Sequence, residues 1–159
     1  MLKTIIIGLM KILARNRRAN FDYDITDTLI AGVVLTGPET KSAKAGHLSL
    51  KGSFVALKTG EAYLTNAQIT PYSYSGPHIT QEPLRSRKLL LHARELAKLT
   101  AAKQAGFSIV PLAAGLERGY VKLELGVGRG KKRYDKRETI KTRETNRELG
   151  RVIKQRSSS

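Results

Sequence analysis

Hydrophobic and polar residues follow a strand-like pattern in three parts of this chain. Residues 25–37 are rich in Ile, Val, Leu and Thr and end at a Gly-Pro pair, which predicts a single β-strand. Residues 48–58 and 61–69 alternate in polarity on either side of Thr59-Gly60, which predicts a β-hairpin. Residues 107–128 predict a second hairpin with its turn near 117–119. In the run from residue 48, one strand face should carry Leu48, Leu50, Gly52, Phe54 and Ala56.

The strongest helical pattern spans residues 84–105, LRSRKLLLHARELAKLTAAKQA. Gly106 follows it as a C-terminal stop, and Pro83 is expected near its start. A shorter helix is predicted over residues 39–45, before Gly46. At helical spacing, one face of the long segment carries Leu89, Ala93, Leu96 and Thr100.

The last fifth of the chain, residues 128–156, has a helical pattern of a different kind. Its basic residues fall four apart in two rows, while its few apolar residues do not form a stripe. Such a helix buries little area, so packing does not offset the entropy of ordering it. We therefore expect a tail that is largely disordered when free and that folds against a polyanion.

The element order is strand, short helix, hairpin, long helix, hairpin and basic tail. Several short strands with a helix between two hairpins indicate a mainly β fold. The form we expect is a small antiparallel β-barrel of the oligonucleotide-binding type with flanking α-helices. The composition also allows an open α+β sheet. The expected division is an N-terminal extension (1–13), a barrel domain (14–127) and a tail (128–159).

Charge narrows the class of partner. The 159 residues carry a net charge of +16, and residues 127–159 hold twelve basic and four acidic residues, which is +8 of that total. This excess favours an anionic partner, nucleic acid first and anionic membrane second. The apolar N-terminal run is too short to span a bilayer and lacks the marks of a signal peptide, so we expect no membrane partner and a cytoplasmic protein.

No catalytic or metal constellation emerges from the sequence. There is no Cys, and His47, His78 and His92 lack ligand spacing. Asp22 and Asp24 should share one strand face while Asp27 lies on the other, so these carboxylates are not expected to converge. The GVGRGKK run lacks the spacing of a phosphate-binding loop. We expect neither an enzyme nor a cofactor.

RNA binding is better supported by the residues. Asn16, Arg17 and Arg18 stand beside Phe21 and Tyr23, which combines cations with stacking surfaces. Further donors are expected on the helices at Lys41, Lys44, Arg85, Arg87 and Lys88. The residues alone leave a second class open, a small structural ribosomal protein with a barrel and a basic extension.

Six segments resemble the SsrA-binding proteins, also called small protein B, of bacterial trans-translation. From about Ile12 to Leu149 the similarity runs, in order, through ILARNRRANFDYDI, AGVVLTGPETKSAKAG, GEAYLTNAQITPY, EPLRSRKLLLHARELAKL, GFSIVPL and GKKRYDKRETIKTR. The most specific of these are RKLLLH and KKRYDKRETIK.

The resemblance implies an oligonucleotide-binding barrel and a tail that is unstructured in solution. It implies binding to the transfer-RNA-like part of transfer-messenger RNA, and delivery of that RNA to stalled ribosomes with the translation elongation factor carrying GTP. The tail would enter the empty messenger path and the decoding centre and become helical there.

The resemblance also implies site residues. The RNA-contacting positions would be Asn16, Arg17, Tyr23, Glu39, Lys41, Lys88, Leu89, Leu90, Leu91, Gly130, Lys131 and Lys132. The ribosome-engaging positions would be Tyr134, Asp135, Lys136, Arg137, Ile140, Lys141 and Arg143. The family usually has Glu at the position of Ile30, and basic or His residues are common at Asn20 and Phe21, so contacts there are expected to differ.

Overall fold

A computed structural model describes residues 10–76 and 80–157 of the chain, without the side chains of residues 133–135 and 157. The strands are β1 (Lys11–Arg15), β2 (Tyr23–Val33), β3 (Leu48–Ser49), β4 (Phe54–Lys58), β5 (Glu61–Thr65), β6 (Gln68–Ile69), β7 (Arg87–Leu90), β8 (Ser108–Glu117) and β9 (Tyr120–Gly130). The helices are α1 (Ala19–Asp22), α2 (Gly37–Lys44), α3 (Ala93–Gln104) and α4 (Arg133–Ser157).

Seven strands form one antiparallel sheet in the order β1-β8-β9-β2-β7-β5-β4, and β3 pairs with β6. The expected mainly β fold with flanking helices is confirmed. Within the described residues the edge strands β1 and β4 do not pair with each other, so the sheet curls without closing into a barrel. The arrangement of strands and helices is therefore consistent with the predicted oligonucleotide-binding type. The sheet, however, is open and does not form the predicted closed barrel.

Both predicted hairpins are confirmed. In β8-β9 the turn is Arg118-Gly119, with φ of 50° and 82°, and in β4-β5 it is Thr59-Gly60, with φ of 46° and 72°. Positive φ at both turn residues matches the right-handed twist of the flanking strands. The turn residues that mark these hairpins in the sequence therefore also fix their register.

The core lies on the inner face of the curled sheet. Its centre includes Ala31, Leu64, Leu123 and Leu125, and Leu99 of α3 closes one end with no exposed surface. In β9, residues 120–125 alternate between solvent-facing and buried positions, whereas residues 125–128 are all buried, so this strand contributes to the outer face through its first half.

The helix predicted over residues 84–105 is wrong in its first half. Residues 87–90 form β7, which pairs with both β2 and β5, and only residues 93–104 are helical. Arg87 and Leu89 alternate inward in this strand, and sheet pairing on both sides overrides the helical spacing of the leucines. Leu89 consequently shares no face with α3, and Pro83 does not begin a helix.

Two smaller face assignments also fail. Ser53 donates its backbone N–H to the Leu50 carbonyl at 3.0 Å, and this turn resets the alternation. Leu50 and Val55 are therefore buried while Phe54 is 48% exposed. Asp22 ends α1 and shares no strand with Asp24, so that predicted pair does not exist.

The ends of the chain meet the sheet in different ways. Of the predicted extension, residues 1–9 lie outside the described residues, whereas Lys11 begins β1 and so belongs to the sheet. Residues 133–157 form one helix. The disorder of the free tail, its folding on a polyanion and the division into three regions stay predictions. No helix in the described part is long and apolar enough to cross a membrane.

Candidate nucleic-acid interface

The outer face of the sheet carries a mixed apolar and cationic patch. In β7, Lys88 and Leu90 point to solvent, and Leu90 is 55% exposed opposite Gly32 of β2. Val34, also exposed, donates its N–H to the Lys88 carbonyl at 2.9 Å. We call Val34, Lys88 and Leu90 the outer patch. An exposed cation beside apolar surface on a rigid strand suits contact with phosphate and sugar.

A neighbouring carboxylate orients the cation of the outer patch. Lys88 Nζ lies 2.8 Å from Glu61 Oε1, and the Tyr63 hydroxyl donates to the other oxygen of that carboxylate. The hydrogen bond from Lys88 lowers the pKa of Glu61 and raises the pKa of Lys88 itself. Both side chains remain more than two-fifths exposed, so the ammonium is held in place and still accessible to an anion.

The leucines of the RKLLLH motif divide between surface and core. Leu89 is 4% exposed and lies in the core, and Leu91 is half-buried against it. The side chain of Leu89 is therefore part of the core of the free protein, and its implied RNA contact stays a prediction. The motif contributes to the surface through Lys88 and Leu90.

Glu39 is a buried carboxylate that binds two arginines. Its carboxylate accepts hydrogen bonds from Arg85 Nη2 and Arg87 Nε at 2.5 Å each, and from the Thr36 N–H at 3.0 Å. Burial raises its pKa, but the bonds from Arg85, Thr36 and Arg87 outweigh that effect and lower the pKa to about 2. In the free protein Glu39 therefore positions β7, and its implied RNA contact stays a prediction. The Thr36-x-x-Glu39 spacing signals a capping box, and this box is present at the start of α2.

The segment before β2 mixes anchored and exposed residues. Asn16 Nδ2 donates to the Pro111 carbonyl at 2.9 Å, and the Asn16 N–H donates to the Leu112 carbonyl at 2.8 Å. Its side-chain amide thus fixes this corner on β8 and keeps a second N–H donor and the Oδ1 acceptor for RNA. Arg17 is exposed, and Tyr23 is half-buried opposite Gly130.

Two further positions bear on the predicted interface. Lys41 is exposed on α2, with its ammonium 5.5 Å from the centre of the Tyr72 ring. Ile30 lies opposite Glu124 of β9. Burial raises the pKa of Glu124, against the lowering effect of the Arg15 charge. The outer face therefore has a carboxylate one strand away from Ile30.

The root of the tail is bonded to α1. The Lys131 N–H donates to the Asp22 carbonyl at 2.8 Å, and Lys131 Nζ donates to the Asn20 carbonyl at 2.9 Å. Just before it, a Cβ on Gly128 would lie 2.2 Å from the Asp24 carbonyl oxygen, so only glycine allows this approach. Gly130 and Lys132 are exposed. Lys131 thus links the tail to α1 and is not only a cation for RNA.

The first turns of α4 rest on Phe21 and Asp22. Lys136 Nζ lies 3.2 Å from Asp22 Oδ1. The Phe21 ring has the Lys136 ammonium 5.8 Å from its centre and the Arg143 guanidinium 5.9 Å from it. These cation–π contacts seat the helix on the side of the sheet. The sequence analysis treated Phe21 only as a stacking surface for RNA and did not predict that it packs against the tail. The signal was present, because Lys136 and Arg143 are seven residues apart and so share one face of a helix.

Three further predicted tail positions face solvent. Arg137, Ile140 and Lys141 are exposed, and Ile140 is 43% accessible. The side chains of Tyr134 and Asp135 lie outside the described residues. Among the described residues, no group of three His, Cys, Asp or Glu side chains could hold a metal ion. The geometry supports binding of a polyanion at two places, the outer patch and the tail.

Comparison with known proteins gives the same family at several levels. The family model described as SmpB protein matches residues 13–155. An SsrA-binding protein of Latilactobacillus sakei is 47% identical over 91% of this chain and 93% of its own length. Another, of Streptococcus pneumoniae, is 50% identical over 91% of this chain and 93% of its own length.

A solved structure agrees with these relatives. It is described as "tmRNA-SmpB: a journey to the center of the bacterial ribosome", is 44% identical in sequence, and superposes with a TM-score of 0.61 over 79% of this chain and 92% of that one. The family model and the relatives both cover most of the chain, and so this chain belongs to the SmpB protein family.

Proposed function

We propose that this protein is an RNA-binding adaptor of trans-translation. It binds the transfer-RNA-like domain of transfer-messenger RNA and delivers that RNA to stalled ribosomes in the bacterial cytoplasm. The translation elongation factor carrying GTP travels in the same complex. The tail then occupies the empty messenger path and the decoding centre. No step of this role needs a cofactor or a catalytic group.

One observation carries the proposal: the chain has two cationic elements of different kinds. The outer patch lies on a rigid sheet, where Lys88 is held by a specific carboxylate. The tail is a long helix with exposed cations at Arg137, Lys141, Arg147 and Arg151. A rigid surface suits a folded RNA, whereas an extended basic helix suits a channel lined by phosphates. The family and the names of its members agree with this division.

A gel-shift titration against transfer-messenger RNA, with transfer RNA as the control, tests the proposal. Full-length protein is compared with a version that ends at Lys132. We expect both to prefer transfer-messenger RNA with similar affinity, because the sheet binds the RNA and the tail is reserved for the ribosome. Log affinity should fall with log salt by roughly 0.7 to 0.9 per neutralised phosphate. Unselective binding that disappears with the tail would contradict the proposal.

The outer patch gives a second prediction. Lys88→Gln should weaken binding to transfer-messenger RNA and reduce the salt slope by about 0.7 to 0.9, as expected for the loss of one phosphate contact. Lys58→Gln is the matched control, because Lys58 is an exposed lysine at the hairpin tip and outside the patch. Equal salt slopes for both variants and the wild-type protein would show that Lys88 does not touch the RNA.

A further inference from the structure

The seam where the sheet fails to close contains two depressions. One, of about 470 Å³, lies between residues 12–18 and residues 48–51. The other, of about 560 Å³, lies between the α1 region and residues 51–54. Both are lined by Asn16, Arg18 and Lys51, so they form a continuous trough along the seam.

The second depression combines aromatic and cationic walls. Tyr23 and Phe54 line it, and Phe54 is 48% exposed although it is a large apolar side chain. Its volume falls within the range of about 300 to 1,000 Å³ that is typical of sites for small ligands. An exposed ring beside cations is the arrangement on which unpaired bases stack.

The charge balance of the trough is positive. Arg18 and Lys51 are exposed on its rim, and Arg17 extends the cationic track into the first depression. Asp22 also lines the trough, but its carboxylate is held by Lys136 at 3.2 Å and by Arg18 at 3.7 Å. In the described part of the chain, Lys51 forms no ion pair, so its charge is available to an anion.

The loop that carries Lys51 and Phe54 is preformed. Ser53 Oγ donates to the Leu50 carbonyl at 2.6 Å, and Asn66 Nδ2 donates to the Gly52 carbonyl at 3.1 Å. Gly52 has φ of 73°, which favours glycine at this turn. A ligand that binds here therefore meets a fixed surface and orders little of the protein.

We propose that this trough is a binding site for an unpaired RNA segment, with a base on Phe54 and Tyr23 and the adjoining phosphates at Lys51 and Arg18. The site lies apart from the outer patch and deepens the proposed function, on which it rests for the identity of the RNA. An unpaired strand can turn a base into the trough, whereas a duplex keeps its bases stacked inside.

A direct test uses fluorescence anisotropy with a short unstructured oligouridine. Phe54→Ala should weaken binding roughly 5- to 100-fold, the range for the loss of one stacked base, and Phe54→Tyr should keep it. Lys51→Gln should lower the salt slope by about 0.7, the value for a single strand. Lys58→Gln, at the opposite end of β4 from Phe54, should leave the slope unchanged. Urea unfolding of each variant checks that the exposed substitutions leave the fold intact.

Cross-linking identifies which RNA supplies the segment. A benzophenone side chain at position 54 is activated in complexes with transfer-messenger RNA and, separately, with small ribosomal subunits. A cross-link to an unpaired nucleotide of either RNA supports the site and assigns its source. Unchanged oligouridine binding by Phe54→Ala and Lys51→Gln overturns the site, even if transfer-messenger RNA is still selected by the wild-type protein. Conversely, if the wild-type protein does not select transfer-messenger RNA, the proposed function is contradicted. Weaker oligouridine binding by Phe54→Ala and Lys51→Gln would in that case still support the trough as an RNA site.

Discussion

Reversing the charges of Lys136 and Arg137 to Glu should abolish tagging of stalled peptides and spare binding to transfer-messenger RNA. Arg137 is exposed on α4 and Lys136 stands next to it, so the double reversal exchanges two attractive charges for two repulsive ones along a path lined by phosphates. The sheet with its outer patch is unchanged. The measurement pairs a reconstituted tagging reaction with the gel-shift titration on the same protein.

Two controls separate the ribosomal contact from the seating of the helix. Charge reversal at Arg147 and Arg151 makes the same net change further along the exposed helix and should reduce tagging less. Asp22→Asn removes the 3.2 Å ion pair with Lys136 and leaves every tail charge in place, so tagging should persist. If RNA affinity falls together with tagging in the Lys136/Arg137 variant, sheet and tail do not have separate roles.

The parts of the fold that sequence could predict are those fixed by local chemistry. Thr59-Gly60 and Arg118-Gly119 specify hairpins, and Thr36 with Glu39 specifies the start of α2. Residues 87–90 show the limit of this reasoning. Their leucines suit a helix equally well, and only pairing with β2 and β5, which are distant in sequence, makes them a strand.

The exposure of the candidate site's residues was predictable for the basic side chains and not for Glu39 and Leu89, which are buried. Arg17, Lys41 and Lys88 are exposed as an RNA-binding motif requires. Glu39 and Leu89 belong to the same motifs but point inward, because the direction of a side chain depends on the packing of its element and not on the motif. The same dependence hid Phe54, whose exposure follows from one turn at Leu50–Ser53.

Closure of the sheet also depends on long-range geometry. Composition allowed a barrel or an open sheet, and the choice depends on whether β1 and β4 meet. They do not pair in the described structure, and the basic residues of the 16–18 and 51–54 segments face each other across the gap. The trough that we propose for RNA is thus the gap that remains because the sheet does not close.

Replacing Glu39 by Gln should destabilise the protein by about 3 kcal/mol at neutral pH, because it leaves the fully buried Arg87 without its anionic partner. The pKa of Glu39 is about 2 in the folded protein, below its ordinary value of 4.5. Its contribution is therefore complete above about pH 4.5 and is lost as the pH falls towards about 2. Urea unfolding at neutral pH and through this acid range should show the two proteins converging in stability.

Glu61→Gln is the matched control for this prediction. Glu61 also pairs with a cation and its pKa is also lowered by that bond, but the pair lies at the surface, where water and salt screen it. The Glu61→Gln substitution should therefore leave the urea unfolding transition close to that of the wild-type protein. Below its melting temperature, Glu39→Gln should still bind transfer-messenger RNA as the wild-type protein does, because this carboxylate is buried against Arg85 and Arg87. A folded Glu39→Gln variant that has lost RNA affinity would instead place Glu39 in the RNA interface. If the difference in stability between the two proteins stays the same at acid pH, the ionised pair of Glu39 with Arg87 is not what stabilises β7.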